Sequence, residues 1–156
     1  MTDLPLTIKE TQESLFKKNF SAVELVDAYL ARINKYNKKL NIFLTTTEDE
    51  AYRKAKKIDK ILRYKDTRIL SDYPLLGVNV AHKDLFLTKG VRTTAGSKVL
   101  QSYVPQYSAT VVDRMEKAGS IMLGKTNCDA WAHGSSGENS NFSKTLNPWN
   151  TDYVAG

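Results

Sequence analysis

A short apolar strand, a helix and a second short apolar strand follow one another in the second half of the chain, and that order restricts the region to an α/β layer. Leu75-Leu76-Gly77-Val78-Asn79-Val80-Ala81-His82 is mostly apolar and partly β-branched, as expected of a buried strand. Residues 109–118 read as a helix, with Ser108 as its N-cap and Gly119 just past its end. Ile121-Met122-Leu123 is the second strand. Strand, helix, strand in this order predicts a parallel pair with a right-handed crossover.

The first third has a different texture. Thr7 with Glu10, and Ser21 with Glu24, have the spacing at which a hydroxyl and a carboxylate satisfy each other's free backbone amides at a helix start. After the second cap, Leu25, Tyr29 and Ile33 recur every four residues, and Val26 and Leu30 widen the apolar stripe. A third helix is predicted from Glu48 to about Arg63, with Ala51, Ala55, Ile58 and Leu62 on its apolar side, followed by a polar connection over residues 66–74. The chain therefore reads as a mainly helical part, 1–65, and the first part of an α/β core, 75–156, with no internal repeat.

Several function classes are disfavoured. No apolar run approaches the roughly 20 residues needed to span a bilayer, and Met1-Thr2-Asp3-Leu4-Pro5 lacks the profile of a secretory signal, so a cytoplasmic location without membrane contact is expected. Cys128 is the only cysteine, which excludes an internal disulfide and a cysteine-based metal site; no metal is expected, and Cys128 reads as a small buried residue. The Asn-Phe-Ser triplets at Asn19 and Asn141 read as chance matches to a glycosylation acceptor. A formal charge of +6 raises the question of nucleic acid. The basic cluster of Arg53, Lys54, Lys56, Lys57, Lys60, Arg63, Lys65 and Arg68 is interrupted by Asp59 and Asp66 and preceded by Glu48-Asp49-Glu50, which suits the solvated face of a helix with acids at its positive end.

The stretch from Gly119 to Gly124-Lys125-Thr126 fits the pattern of a phosphate-binding loop. Such a loop follows a strand and opens a helix, whereas here a charged helix comes first and Ile121-Met122-Leu123 favours a strand. The expected roles are therefore structural: Gly119 ends the helix and Gly124 ends the strand.

A family resemblance rests on motifs that occur in one order. Leu76-Gly77-Val78 leads into Lys83-Asp84. Then come Gly90-Val91-Arg92-Thr93-Thr94-Ala95-Gly96-Ser97, Gly124-Lys125-Thr126-Asn127, Gly134-Ser135-Ser136-Gly137-Glu138-Asn139-Ser140 and Asn147-Pro148-Trp149. Together they resemble the amidase-signature family, most of all its glutamine-hydrolysing members that serve tRNA-dependent amidotransferases. The likeness is diffuse through the first helices and dense from Leu75 onward. Asn79, where the family pattern has proline, and His82, more polar than a generic buried strand residue, depart from it.

The resemblance implies helices followed by part of the mixed sheet of an amidase-signature fold, with residues 1–156 the amino-terminal portion of one such domain. It also implies a serine, cis-serine and lysine triad in which Lys83 is the general base and both serines lie beyond Gly156, so these residues alone are expected to be inactive. With a sheet built for a larger core, they are also expected to aggregate or to be only partly ordered. Gly134, Ser135 and Ser136 would line the substrate pocket. The implied activity is release of ammonia from glutamine for transamidation of Glu-tRNA(Gln). The implied partners are the B and C subunits of a heterotrimeric amidotransferase, glutamine and, through the complex, mischarged tRNA. ATP and magnesium would serve the whole complex, with no cofactor on this chain. A lysine takes a serine proton only when neutral, and its unperturbed pKa of about 10.4 must fall by about three units, or about 4 kcal/mol, to sit near neutrality. Burial supplies such a shift, and a neighbouring carboxylate opposes it. Read without the resemblance, Lys83 is a strand-end lysine paired with Asp84 at the surface. Another small-amide hydrolase of the same family, or a basic module that binds RNA or protein, are the alternative functions.

Overall fold

In the computed structural model, which describes residues 4–64 and 68–156, the helical first third carries the anticipated caps. Helix α1 (Ile8–Lys17) opens on a reciprocal pair, in which the Glu10 N–H donates to Thr7 Oγ1 at 3.1 Å and the Thr7 N–H to Glu10 Oε2 at 3.1 Å. At α2 (Ala22–Leu40), Ser21 and Glu24 repeat the arrangement at 3.1 and 2.7 Å. The two amides Ser21 does not reach are taken by α3 (Glu48–Leu62), whose Asp59 carboxylate accepts the Ala22 N–H at 2.7 Å and the Val23 N–H at 3.2 Å. A helix start leaves such donors without an intrahelical partner, so the acid that interrupts the basic run is a cap. Within that run Arg53 pairs with Glu50 and Lys54 donates to the Glu116 carbonyl at 2.9 Å, while Lys56, Lys57, Lys60 and Arg63 are exposed. Lys65 and Asp66 lie outside the described residues.

The remaining elements are β1 (Phe43–Thr46), a single turn α4 (Ile69–Asp72), β2 (Asn79–Lys83), α5 (Thr110–Lys117) and β3 (Ile121–Thr126), and the strands form a sheet in the order β1-β3-β2. Strand β1, which the sequence does not announce, pairs antiparallel with β3. Between β2 and β3 the bonded partners advance together, Val78 with Ile121 and Asp84 with Thr126, as the strand, helix, strand order predicts for a parallel pair. No described helix is long and apolar enough to cross a membrane.

Three boundaries differ from expectation. The first strand starts at Asn79, because residues 75–78 turn: the Val78 N–H closes on the Leu75 carbonyl at 3.0 Å, and Gly77 has a φ of +76°. A Cβ at Gly77 would lie 2.4 Å from Leu15 Cδ1, so the turn passes directly against the Leu15 side chain of α1. Gly124 does not end its strand; β3 continues to Thr126, and the missing side chain lets the β1 backbone draw near, since a Cβ there would sit 2.3 Å from the Thr45 carbonyl oxygen. Helix α5 starts at Thr110, and the Ser108 hydroxyl, expected to cap it, instead accepts the Lys89 N–H at 3.0 Å.

The chain packs as two units, each made of three segments. The first comprises Met1–Arg32, Thr47–Val80 and Asp113–Leu123 and has an apolar interior of Leu15, Leu25, Val26, Leu30, Ala51, Ala55, Ile58, Leu62, Leu76, Ile121 and Leu123. The second comprises Ile33–Thr46, Ala81–Val112 and Gly124–Gly156, and it buries an unusual set of polar side chains: His82, Asp84, Thr88, Thr93, Thr94, Ser97, Lys125 and Asp129. Buried polar groups are costly unless partnered, so the second unit is where a functional site is to be sought.

Asp59→Ala removes the cap on α2 without touching the apolar core. It should lower the unfolding free energy by about 1–2 kcal/mol in urea, with Asp59→Asn, which keeps an acceptor, losing less; an unchanged midpoint for Asp59→Ala would contradict the capping role.

Candidate active site

Alternation along β2 sends successive side chains to opposite faces, and at its end this separates two charged residues. Lys83 is exposed, whereas Asp84 is fully buried. The surface pairing of Lys83 with Asp84 that the sequence permits is therefore not found. Nor is Lys83 buried within these residues: Ala81, two positions earlier on the same face, is exposed as well. Among the described residues the Lys83 ammonium makes no hydrogen bond or ion pair.

Asp84 is instead held from several sides. Its Oδ2 accepts the Thr94 N–H at 2.9 Å and the Thr94 hydroxyl, and its Oδ1 faces Lys125 Nζ at 3.4 Å. Lys125, on β3, is itself fully buried and donates to the Phe86 carbonyl and to Thr93 Oγ1, both at 2.8 Å. The Thr93 hydroxyl gives its own proton to the Val91 carbonyl at 3.1 Å, which leaves a lone pair for the ammonium. Two of the three donors of the lysine are thereby hydrogen-bonded, and its charge faces Asp84 Oδ1, which accepts no hydrogen bond among the described residues. Burial pushes the Lys125 ammonium below its ordinary range, and the Asp84 carboxylate pulls the other way. The stretch from Gly119 to Thr126 is helix end and strand, with Lys125 turned inward, so it does not form a phosphate-binding loop.

The residues after β3 organise the glycine and serine loop. Asp129, buried, accepts the Gly137 N–H at 3.0 Å and the Asn139 N–H at 2.7 Å. Gly134 crosses directly over it, and a Cβ there would lie 2.5 Å from Asp129 Cγ. Asn127 Oδ1 accepts the Ser140 hydroxyl at 2.7 Å and Asn139 Nδ2 donates to the His133 carbonyl at 2.8 Å. Ser135 is exposed and Ser136 half-buried, and among the described residues neither hydroxyl is hydrogen-bonded.

Two successive backbone hydrogen bonds connect this loop to the end of β2. The Ala95 N–H donates to the Asp84 carbonyl at 3.0 Å and the Trp131 N–H to the Ala95 carbonyl at 2.8 Å. Ala95, Trp131 and Ala132 all have left-handed backbone, with φ of 51°, 58° and 61°. Non-glycine residues rarely adopt it, and such strain concentrates at functional sites. Gly96 is required next to them, because at φ +67° a Cβ would meet the Cys128 carbonyl oxygen at 2.4 Å. Cys128 is buried, which raises its thiol pKa, as expected of an inert residue. Among the described residues no group of three or more His, Cys, Asp or Glu side chains could hold a metal ion.

Lys83 and residues 134–136 thus belong to one bonded framework within the second unit. The sequence singled out both but missed the residues that fix them: Asp84 with Lys125, Thr93 and Thr94, and Asp129. The available signal was a pair of opposite charges at the ends of two apolar strands, which calls for a partner for each.

The amidase family model matches residues 24–156, and the chain belongs to that family. It is similar to the A subunit of glutamyl-tRNA(Gln) amidotransferase from Dehalococcoides mccartyi (strain CBDB1), at 45% identity over 100% of this chain and 31% of that protein. The equivalent protein of Hahella chejuensis (strain KCTC 2396) is 46% identical over 98% of this chain and 31% of its own. The chain spans just under a third of the length of these relatives. Among solved structures, native peptide amidase from Stenotrophomonas maltophilia superposes with a TM-score of 0.81 at 28% identity, covering 94% of this chain and 30% of that one. A bacterial aryl acylamidase of the amidase-signature family gives 0.83 at 28% identity, covering 96% and 31%.

Asp129→Ala should release the loop it holds. The Gly137 and Asn139 amides would then exchange with deuterium at least about tenfold faster, the equivalent of about 1.4 kcal/mol, while the amides of β3 keep their protection. Unchanged exchange at both would show that the loop is held by other contacts.

Proposed function

We propose that the chain is part of a glutamine amidase that releases ammonia from glutamine for the transamidation of Glu-tRNA(Gln) to Gln-tRNA(Gln), with Lys83 as the general base. The observation that carries this is the match of the whole chain, at 45% identity, to the A subunit of a glutamyl-tRNA(Gln) amidotransferase. In this reading the neutral Lys83 amine accepts the proton of a serine supplied, with the cis-serine, by the part of the protein equivalent to the remaining two thirds of that relative. Residues 134–136 border the pocket that receives the glutamine side chain. The exposure of Lys83 supports the role, since an amine with no partner among the described residues is available to a hydroxyl. Desolvation of that amine then has to come from the same remaining part. B and C subunits complete the assembly, and ATP with magnesium acts in the complex away from this chain, in the cytoplasm.

A second reading, hydrolysis of another small amide, is favoured by the likeness to a peptide amidase and an aryl acylamidase at 28% identity. The two differ in whether the protein requires partner subunits. The basic-module alternative is less supported, because Arg53, Lys54 and Asp59 are engaged within the first unit.

The test joins residues 1–156 to the remaining two thirds of the Dehalococcoides mccartyi protein, assembles the fusion with the B and C subunits of that organism, and measures ammonia release from glutamine. The fusion should be active and the 156 residues alone inactive. Lys83→Ala should lower the rate about 10²–10⁴-fold with the far-UV circular dichroism unchanged. A Lys83→Ala fusion as active as its parent would remove Lys83 from the chemistry.

A further inference from the structure

The buried Lys125 and Asp84 pair takes no part in the proton transfer assigned to Lys83, yet Asp84 is the next residue along the chain. A carboxylate adjacent to an ammonium is its natural partner. Here that carboxylate is turned inward, where Thr94 holds Oδ2 through its N–H at 2.9 Å and its hydroxyl, and Lys125 meets Oδ1 at 3.4 Å. Both members of the pair are fully buried, and Lys125 is fixed in turn by the Phe86 carbonyl and Thr93 Oγ1. A lysine placed there solely to fill space would be worse than a methionine of similar volume, since a buried ion pair is weak evidence for stability in itself. Its position points to a second purpose.

We propose that Lys125 is a positioning residue for Lys83: by neutralising the Asp84 carboxylate on the inner side of the strand end, it keeps that charge from holding the neighbouring ammonium protonated and leaves the Lys83 amine free for the reacting groups. This rests on the reading of Lys83 as the base. The other titratable groups at this step are His82 on β2 and Cys128 and Asp129 just after β3. Burial raises the Cys128 thiol pKa, Asp84 and Asp129 add to that, and Lys83 and Lys125 oppose it. Of these, Lys125 is the ammonium in contact with Oδ1.

The test follows the pH profile of Lys83 acylation by a small amine-reactive reagent, read by mass spectrometry on the fusion of residues 1–156 with the remaining two thirds of the Dehalococcoides mccartyi protein. In Lys125→Met the Asp84 charge is no longer neutralised and acts on the adjacent Lys83, and the profile should move to higher pH by about one unit. Adding Asp84→Asn to that variant removes the competing carboxylate and should restore the original profile, a rescue that a purely structural lysine would not give. Asp84→Asn alone should leave the profile in place, because Lys125 already cancels that charge, and this variant decides the matter if Lys125→Met fails to fold. An unmoved profile in folded Lys125→Met, a double variant that stays shifted, or a move to lower pH in Asp84→Asn alone would each overturn the proposal. The base role of Lys83 is judged separately, by ammonia release from the Lys83→Ala fusion, so either idea can fail without the other.

Discussion

A lysine and an aspartate closed off from water constrain everything around them. Each charge alone would cost several kcal/mol to bury, so the backbone between the strands has to deliver partners to both. It does so through Phe86, Thr93 and Thr94, all on the segment that leaves β2. That segment cannot relax without stranding a charge. The pair therefore fixes the end of β2 to β3 and to the turn at Ala95, and with them the direction in which Lys83 leaves the sheet.

From Ala95 the constraint passes to the loop after β3. The Trp131 amide bonds to Ala95, and Asp129 gathers the amides of Gly137 and Asn139, so residues 134–136 are carried on the same framework. The left-handed backbone at Ala95, Trp131 and Ala132 is the kind of strain a fold retains where geometry matters more than stability. The contrast between the two units fits this division of labour. The first has an aliphatic interior built from helical stripes, and the second a polar interior that orders loops.

What the sequence disclosed depended on how local the information was. The two helix caps and the stripe of Ala51, Ala55, Ile58 and Leu62 are patterns within a few residues, and all are present. Strand ends were harder, because Gly77 and Gly124 look alike in sequence and do opposite things. Gly77 turns the chain, while Gly124 lets a strand continue close beneath β1. Strand β1 was missed because four residues with even, intermediate burial carry no alternation to detect. The candidate site was half legible. Lys83 and the loop at 134–136 came from an ordered set of motifs, but the partner of Lys125 lies far away in sequence, and only the pairing of β2 with β3 brings Asp84 to it.

A double-mutant cycle on Lys125 and Asp84, read by urea unfolding of the fusion that restores the remaining two thirds, tests the dependence on this pair most directly. Lys125→Met and Asp84→Asn should each cost about 3–5 kcal/mol, and the double variant less than either, since each single change leaves the other group unpartnered in the interior. Costs that simply add in the double variant would mean that the two residues act independently, and the pair would not be the constraint from which the site is built.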